Sequence, residues 1–193
     1  MTTQIVADHF KENVDWKRFT NLVASIGNQF DESQWRFLKA RIFENSLQTY
    51  SDGSVKYVGE EGCDLLVNTK QMKNVRVEMK FIRNAFFSPK RMKMKDVCNL
   101  ALMSTQGTNK HKNLPKYYAD YLLVVSNNCA GLIDKKTLMK YTTMRGDGIV
   151  ASVPSNKMNM LFTPHTFGDS KIYNIDLRGA IDNAIQKVIE QVK

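Results

Sequence analysis

The sequence predicts a mixed α/β domain: a mixed central sheet flanked by helices, with further helices at both termini. Three observations carry this. Up to about residue 48, apolar residues recur at helical spacing. From Val55 to Ile82 the pattern changes to short runs rich in Val, Leu and aromatics, the signature of strands. Near the end, Ile181, Ile185, Val188, Ile189 and Val192 return to helical spacing as one amphipathic stripe. A chain of 193 residues suits one domain over 1–193, read as a helical extension (1–31), a core (32–175) and a C-terminal helix (176–193).

Taken in order, Phe19, Leu22, Val23 and Ile26 predict one or two short helices in the first 33 residues, with Gly27-Asn28 as a stop. A second helix is expected over about 32–48, capped by Asp31 or Ser33, with Trp35, Leu38, Ile42 and Phe43 as its stripe. Ser51-Asp52-Gly53-Ser54 reads as a turn. Val55 to Val58, Asp64 to Val67 and Val75 to Ile82 read as strands, the last two joined by the polar link 68–74. A helix is expected from about Ser88-Pro89 to Met103, on the spacing of Met92, Lys95, Cys98 and Leu102. Ala119 to Ser126 is a buried type of strand, Ala130 to Ile133 a short one, and Asp134 can cap a helix running to Tyr141. Residues 148–162 are expected to be strand and turn. Phe86-Phe87 and Tyr117-Tyr118 are read as packing residues.

Composition narrows the function. No apolar run approaches the ~20 residues that a membrane-spanning helix needs. The opening ten residues lack a basic start followed by an apolar stretch, so no signal peptide is expected, and a cytoplasmic location is. Cys63, Cys98 and Cys129 are odd in number and far apart, which argues against a disulfide framework or a close-spaced cysteine zinc site. Twenty-eight Lys and Arg against 19 Asp and Glu give a net charge of +9, a balance that favours polyanionic partners. Arg83, Lys90, Arg91, Lys93 and Lys95 fall within 13 residues, and Lys135, Lys136, Lys140 and Arg145 form a second cluster.

Several chemistries lack their residues. There is no Gly-rich phosphate loop, no dinucleotide fingerprint and no Gly-x-Ser-x-Gly elbow, and His9, His111 and His165 are not spaced as metal ligands. Carboxylates and lysine remain. Asp64 opens one strand, and Glu78-Met79-Lys80 occupies the middle of the next. Alternate side chains share a face of a strand, so Glu78 and Lys80 project together while Val77, Met79 and Phe81 face the apolar side. A hairpin would bring Asp64 beside Glu78. Two carboxylates on rigid strands suit Mg²⁺, and an adjacent lysine can assist water or stabilise charge on a phosphoryl oxygen.

Asp64 followed by Glu78-Met79-Lys80 resembles the signature of the PD-(D/E)XK nuclease superfamily. With its basic charge and length, the chain is similar to the type II restriction endonucleases of that superfamily, the likeness covering about residues 32–132. The resemblance implies a restriction-endonuclease-like core and Mg²⁺-dependent, sequence-specific hydrolysis of double-stranded DNA by a homodimer. It assigns metal binding to Asp64 and Glu78 and service of the attacking water to Lys80. Some members add an acid from the preceding helix, and Glu44 is the residue here that corresponds. Cys63 stands where the superfamily usually has proline.

The tripeptide alone is weak, since acid-x-Lys occurs four times: at Asp15, Glu78, Asp134 and Asp169. Asp120 precedes Asp134 by the same interval that separates Asp64 from Glu78, which makes it the nearest rival. Only Glu78 has apolar strand on both sides. Two other functions are compatible with the residues: a structure-specific nuclease (junction resolvase or repair enzyme) of the same fold, and a non-catalytic DNA-binding protein whose acids are surface charges.

Overall fold

The computed structural model describes residues 2–29, 32–60, 62–82, 84–88, 93–104, 119–126, 129–145 and 148–163, the side chains of 27–29, 32–40 and 103–104 excepted. Three helices come first: α1 (Thr2–Asn13), α2 (Trp16–Gln29) and α3 (Glu32–Thr49). Each turns an apolar stripe inward, with Val6 and Phe10 on α1, Phe19, Leu22 and Ile26 on α2, and Ile42, Phe43 and Leu47 on α3. The Trp16 indole N–H donates to the Phe10 carbonyl at 2.8 Å, so the buried ring leaves no donor unsatisfied. The expected turn follows, with Gly53 at φ +90 and the Ser54 amide donating to Asp52 Oδ1 at 3.0 Å.

Strands β1 (Val55–Glu60), β2 (Cys63–Val67) and β3 (Val75–Phe81) form an antiparallel meander. β3 then pairs in parallel with β7 (Tyr121–Val125), which continues antiparallel to β8 (Ala130–Asp134) and β11 (Asn159–Phe162). The central sheet is therefore mixed, in the order β1-β2-β3-β7-β8-β11. One face lies under the helices, where Leu65, Val67, Val77, Met79, Leu123 and Leu132 meet Phe10, Leu22 and Leu47.

The other face carries Leu122, Val124 and Ile133 and packs against a second sheet. That sheet has the order β6-β10-β9, from Val97–Ser104, Gly148–Pro154 and Thr142–Arg145. β7 is covered on both faces, which explains its uninterrupted Tyr-Leu-Leu-Val-Val run. Phe86 is fully buried above Gly131, where an added Cβ would come within 2.9 Å of the ring.

The helix expected from Ser88 to Met103 is not formed. Phe87–Ser88 (β4) and Lys93–Met94 (β5) make a short two-stranded ribbon, and β6 follows as a strand. The reason is periodicity: Cys98, Leu100 and Leu102 are buried while Val97, Asn99 and Ala101 are exposed, an alternation of two. The helix expected after Asp134 is present as α4 (Lys135–Lys140), with Asp134 as its N-cap. The C-terminal helix (176–193), Tyr117-Tyr118, Asp31 and the Ser33 side chain lie outside the described residues. Cys63, Cys98 and Cys129 are buried free thiols, and no described helix is long and apolar enough to cross a membrane.

Candidate active site

The strand β3 divides its side chains by alternation. Val75, Val77 and Met79 are buried beneath the helices, and Arg76, Glu78 and Lys80 occupy the opposite face. The parallel partner β7 sets Leu122 beside Glu78 and Val124 beside Lys80, so these polar groups rise next to apolar neighbours. On the other side, β2 pairs Leu65 with Val77 and Leu66 with Arg76. Extending that register by one place sets Asp64 opposite Glu78. The hairpin inferred from the sequence thus brings the two acids together.

At this point β2 begins to leave β3, and the Asp64 side chain takes over from the backbone. Its Oδ2 accepts a hydrogen bond from the Met79 amide at 2.7 Å. Lys80 Nζ stands 4.0 Å from Glu78 Oε1, the outer limit of an ion pair. Glu78 Oε2 is buried and has no hydrogen-bond partner among the described residues. A buried carboxylate oxygen without a partner is costly, and in a working site it commonly marks the place of a missing ligand.

The electrostatics follow from this crowding. Burial, then the charge of Asp64, pushes Glu78 up to about 7, with Lys80 pulling the other way. Asp64 is raised as well, mainly by burial, although the Met79 bond and Lys80 oppose the rise. Glu44, only 9% exposed on α3, is pushed up to about 8 by burial and then by the charges of Asp64 and Glu78. Burial holds all three carboxyl groups above their ordinary range, with charge repulsion adding to the rise of Glu44 and Glu78, and a bound cation would relieve that conflict.

Glu44 is thus within electrostatic reach of the strand acids. It comes from the helical side, where neighbouring Phe43 packs on Phe81 with ring centroids 4.7 Å apart. Among the described residues, no three His, Cys, Asp or Glu side chains are arranged to hold a metal ion by themselves. Asp64 and Glu78 therefore fit a divalent ion as two protein oxygen donors, a set that suits Mg²⁺ because it retains water and takes phosphate oxygens.

The rival pair is otherwise engaged. Asp134 Oδ1 accepts from the Thr137 amide at 2.8 Å and Oδ2 from the Thr137 hydroxyl at 2.8 Å, as a helix cap does. Asp120 Oδ2 accepts from the Arg76 amide at 3.0 Å, closing the start of the β3–β7 pair. These acids line an open depression of about 510 Å³ together with Tyr121, Lys135, Lys136 and Met139.

Comparison with known proteins returns no matching family model, no matching curated protein and no matching solved structure. The chemistry of the site rests on its residues.

Sequence reasoning passed over two of them. Arg41 lies one helical turn before Glu44, and its charge acts on both Glu44 and Asp64. Tyr57 pairs with Leu65 on the strand beside Asp64, and its phenol is raised by burial, Glu44 and Asp64 against the pull of Arg41. The available signals were the i, i+3 spacing for Arg41 and strand adjacency for Tyr57.

Proposed function

We propose that this chain is a Mg²⁺-dependent endonuclease that cleaves double-stranded DNA at specific sequences, as type II restriction enzymes of the PD-(D/E)XK superfamily do. One observation carries the reading: Asp64 faces Glu78 across a strand pair, Lys80 shares the face, and Glu78 Oε2 is buried without a partner. Asp64 and Glu78 would hold the ion. When bound, Mg²⁺ would polarise a phosphoryl oxygen and lower the pKa of water. Lys80, 30% exposed, would orient the attacking water or balance the charge developing on the phosphate. Glu44 would hold a proton in the empty site and release it when a cation arrives. The +9 charge would supply phosphate contacts whose strength falls as salt rises. A cytoplasmic homodimer within a restriction-modification system is the setting that belongs to this reading.

The test is incubation with plasmid and phage DNA, with and without Mg²⁺, beside Glu78→Ala and Asp134→Ala. Discrete Mg²⁺-dependent fragments lost only with Glu78→Ala are expected. Cleavage confined to branched DNA would point instead to a structure-specific nuclease. Salt-sensitive binding without cleavage, indifferent to Mg²⁺ and to Asp64→Ala, would reduce the chain to a DNA-binding protein.

A further inference from the structure

Among the described residues, two buried side-chain polar atoms have no hydrogen-bond partner, Glu78 Oε2 and Arg76 Nε. They belong to one strand and to one face of it. Two residues of extended chain separate them, about 7 Å of rise, and Lys80 stands as far from Glu78 on the other side. Along this face β3 thus runs cation, carboxylate, cation, and Asp64 is set against the middle member. The orphan on Glu78 is an acceptor and the orphan on Arg76 is a donor, so each calls for a ligand of opposite charge. A metal ion answers Glu78. Arg76 requires an anion.

The root of Arg76 is fixed while its head is loosely held. Its amide donates to Asp120 Oδ2 at 3.0 Å, which ties the backbone where β3 meets β7. Its Nη2 stands 3.6 Å from Glu60 Oε2 of β1, and the two side chains are 38% and 61% exposed. An ion pair that long and that wet restrains a side chain weakly. Nε and Nη2 form the edge with which arginine grips two oxygens of one phosphate side by side. Here half of that edge meets a loose carboxylate and the other half meets nothing. Leaving Glu60 therefore costs Arg76 little.

We propose that Arg76 leaves Glu60 to grip, through Nε and Nη2, a DNA phosphate next to the one at the Asp64–Glu78–Lys80 site. The offset of about 7 Å from Glu78 exceeds the width of one phosphate, which makes the phosphate at Arg76 a neighbour of the scissile one. The inference rests on the nuclease reading and adds to it a residue that positions the substrate. Arg76 touches no reacting atom, so it serves ground state and transition state alike, and its loss raises KM rather than lowering kcat. Glu60 competes with the phosphate for it.

The experiment measures duplex DNA binding over a series of KCl concentrations, and Mg²⁺-dependent plasmid cleavage, each below the thermal midpoint of the protein used. Wild type is compared with Arg76→Gln, Arg76→Lys, Glu60→Gln and the double variant Arg76→Gln/Glu60→Gln. Arg76→Gln is expected to raise KM about tenfold, the scale of hydrogen bonds to a charged oxygen, and to leave kcat within about twofold of wild type. It should also lower the slope of log affinity against log salt by about one, as the loss of one phosphate contact does. Arg76→Lys keeps the charge without the fork, so it should restore the slope but not KM. Glu60→Gln is expected to lower KM about two- to threefold, and to change nothing once Arg76→Gln is present. Arg76→Gln with the wild-type slope and KM would overturn the inference and leave the nuclease reading standing, as would a Glu60→Gln gain that survives without Arg76. A wild-type protein that cuts no DNA would overturn both.

Discussion

Asp64 and Met79 are joined by a 2.7 Å hydrogen bond from the Met79 amide to Asp64 Oδ2. The bond closes the end of the β2–β3 pair, so Asp64 has a structural duty as well as a place in the site. Glu78 has no such duty: its Oε2 is buried without a partner, and it faces Asp64. The two acids should therefore affect stability in opposite directions. Asp64→Ala is expected to destabilise by about 1–3 kcal/mol, since it orphans the Met79 amide. Asp64→Asn, which retains a carbonyl acceptor, should recover most of that. Glu78→Gln should stabilise at pH 8 by on the order of 1 kcal/mol, by removing a poorly compensated charge. Urea denaturation of the three variants checks the signs, and a Glu78→Gln protein weaker than wild type would sink the argument.

Stability should fall as pH rises through the neutral range. Glu44 is raised from 4.5 to about 8 and Glu78 from 4.5 to about 7, both chiefly by burial. An acid whose folded pKa exceeds its unfolded pKa binds more protons when folded, so its contribution is complete below about 4.5 and is lost as pH climbs through the folded value. The urea midpoint is accordingly expected to decline between about pH 5 and pH 8 from these groups. Glu44→Gln should flatten the profile. A Glu44→Gln profile as steep as wild type would show that this carboxyl does not carry the dependence.

Mg²⁺ should oppose that decline. Binding to Asp64 and Glu78 needs both ionised, so the ion displaces protons and binds more tightly at pH 8 than at pH 6. At about 100 times its dissociation constant, a ligand that binds only the folded state adds about 2.7 kcal/mol. Thermal midpoints measured with and without MgCl₂ are expected to rise for wild type, more at the higher pH, and to stay fixed for Glu78→Gln. An equal rise in that variant would place the ion elsewhere.

How much of this was legible in the sequence depended on how local the signal was. The strands around Asp64 and Glu78 announced themselves by composition, and alternation alone put Glu78 and Lys80 on one face. The β6 strand did not, because Cys98 and Leu102 are four residues apart and fit a helix, while the deciding Cys98-Leu100-Leu102 alternation is equally short. Its partner β10 lies about fifty residues downstream, and only that pairing resolves the ambiguity. Within the site, residue identities were readable, but the Met79 bond and the orphaned Glu78 oxygen depend on atomic register. Tyr57 was hidden for a related reason: its position follows from a bulge and from the space left by Gly59.

The rival acid Asp134 provides the complementary test, since it shares the acid-x-Lys pattern without the surroundings. Both its oxygens are taken by Thr137, and Thr3 Oγ1 approaches Oδ2 at 3.5 Å, so its carboxylate is committed to the first turn of α4. Asp134→Ala should cost about 1 kcal/mol, the usual effect of deleting an N-cap, while Asp134→Asn or Asp134→Ser should cost less because both remain good caps. DNA cleavage by all three should match wild type at temperatures well below their midpoints, since a site built on Asp64, Glu78 and Lys80 does not use this residue. Loss of cleavage in Asp134→Ala with the fold intact would move the chemistry to the second acid pair and remove Glu78 from its assigned role.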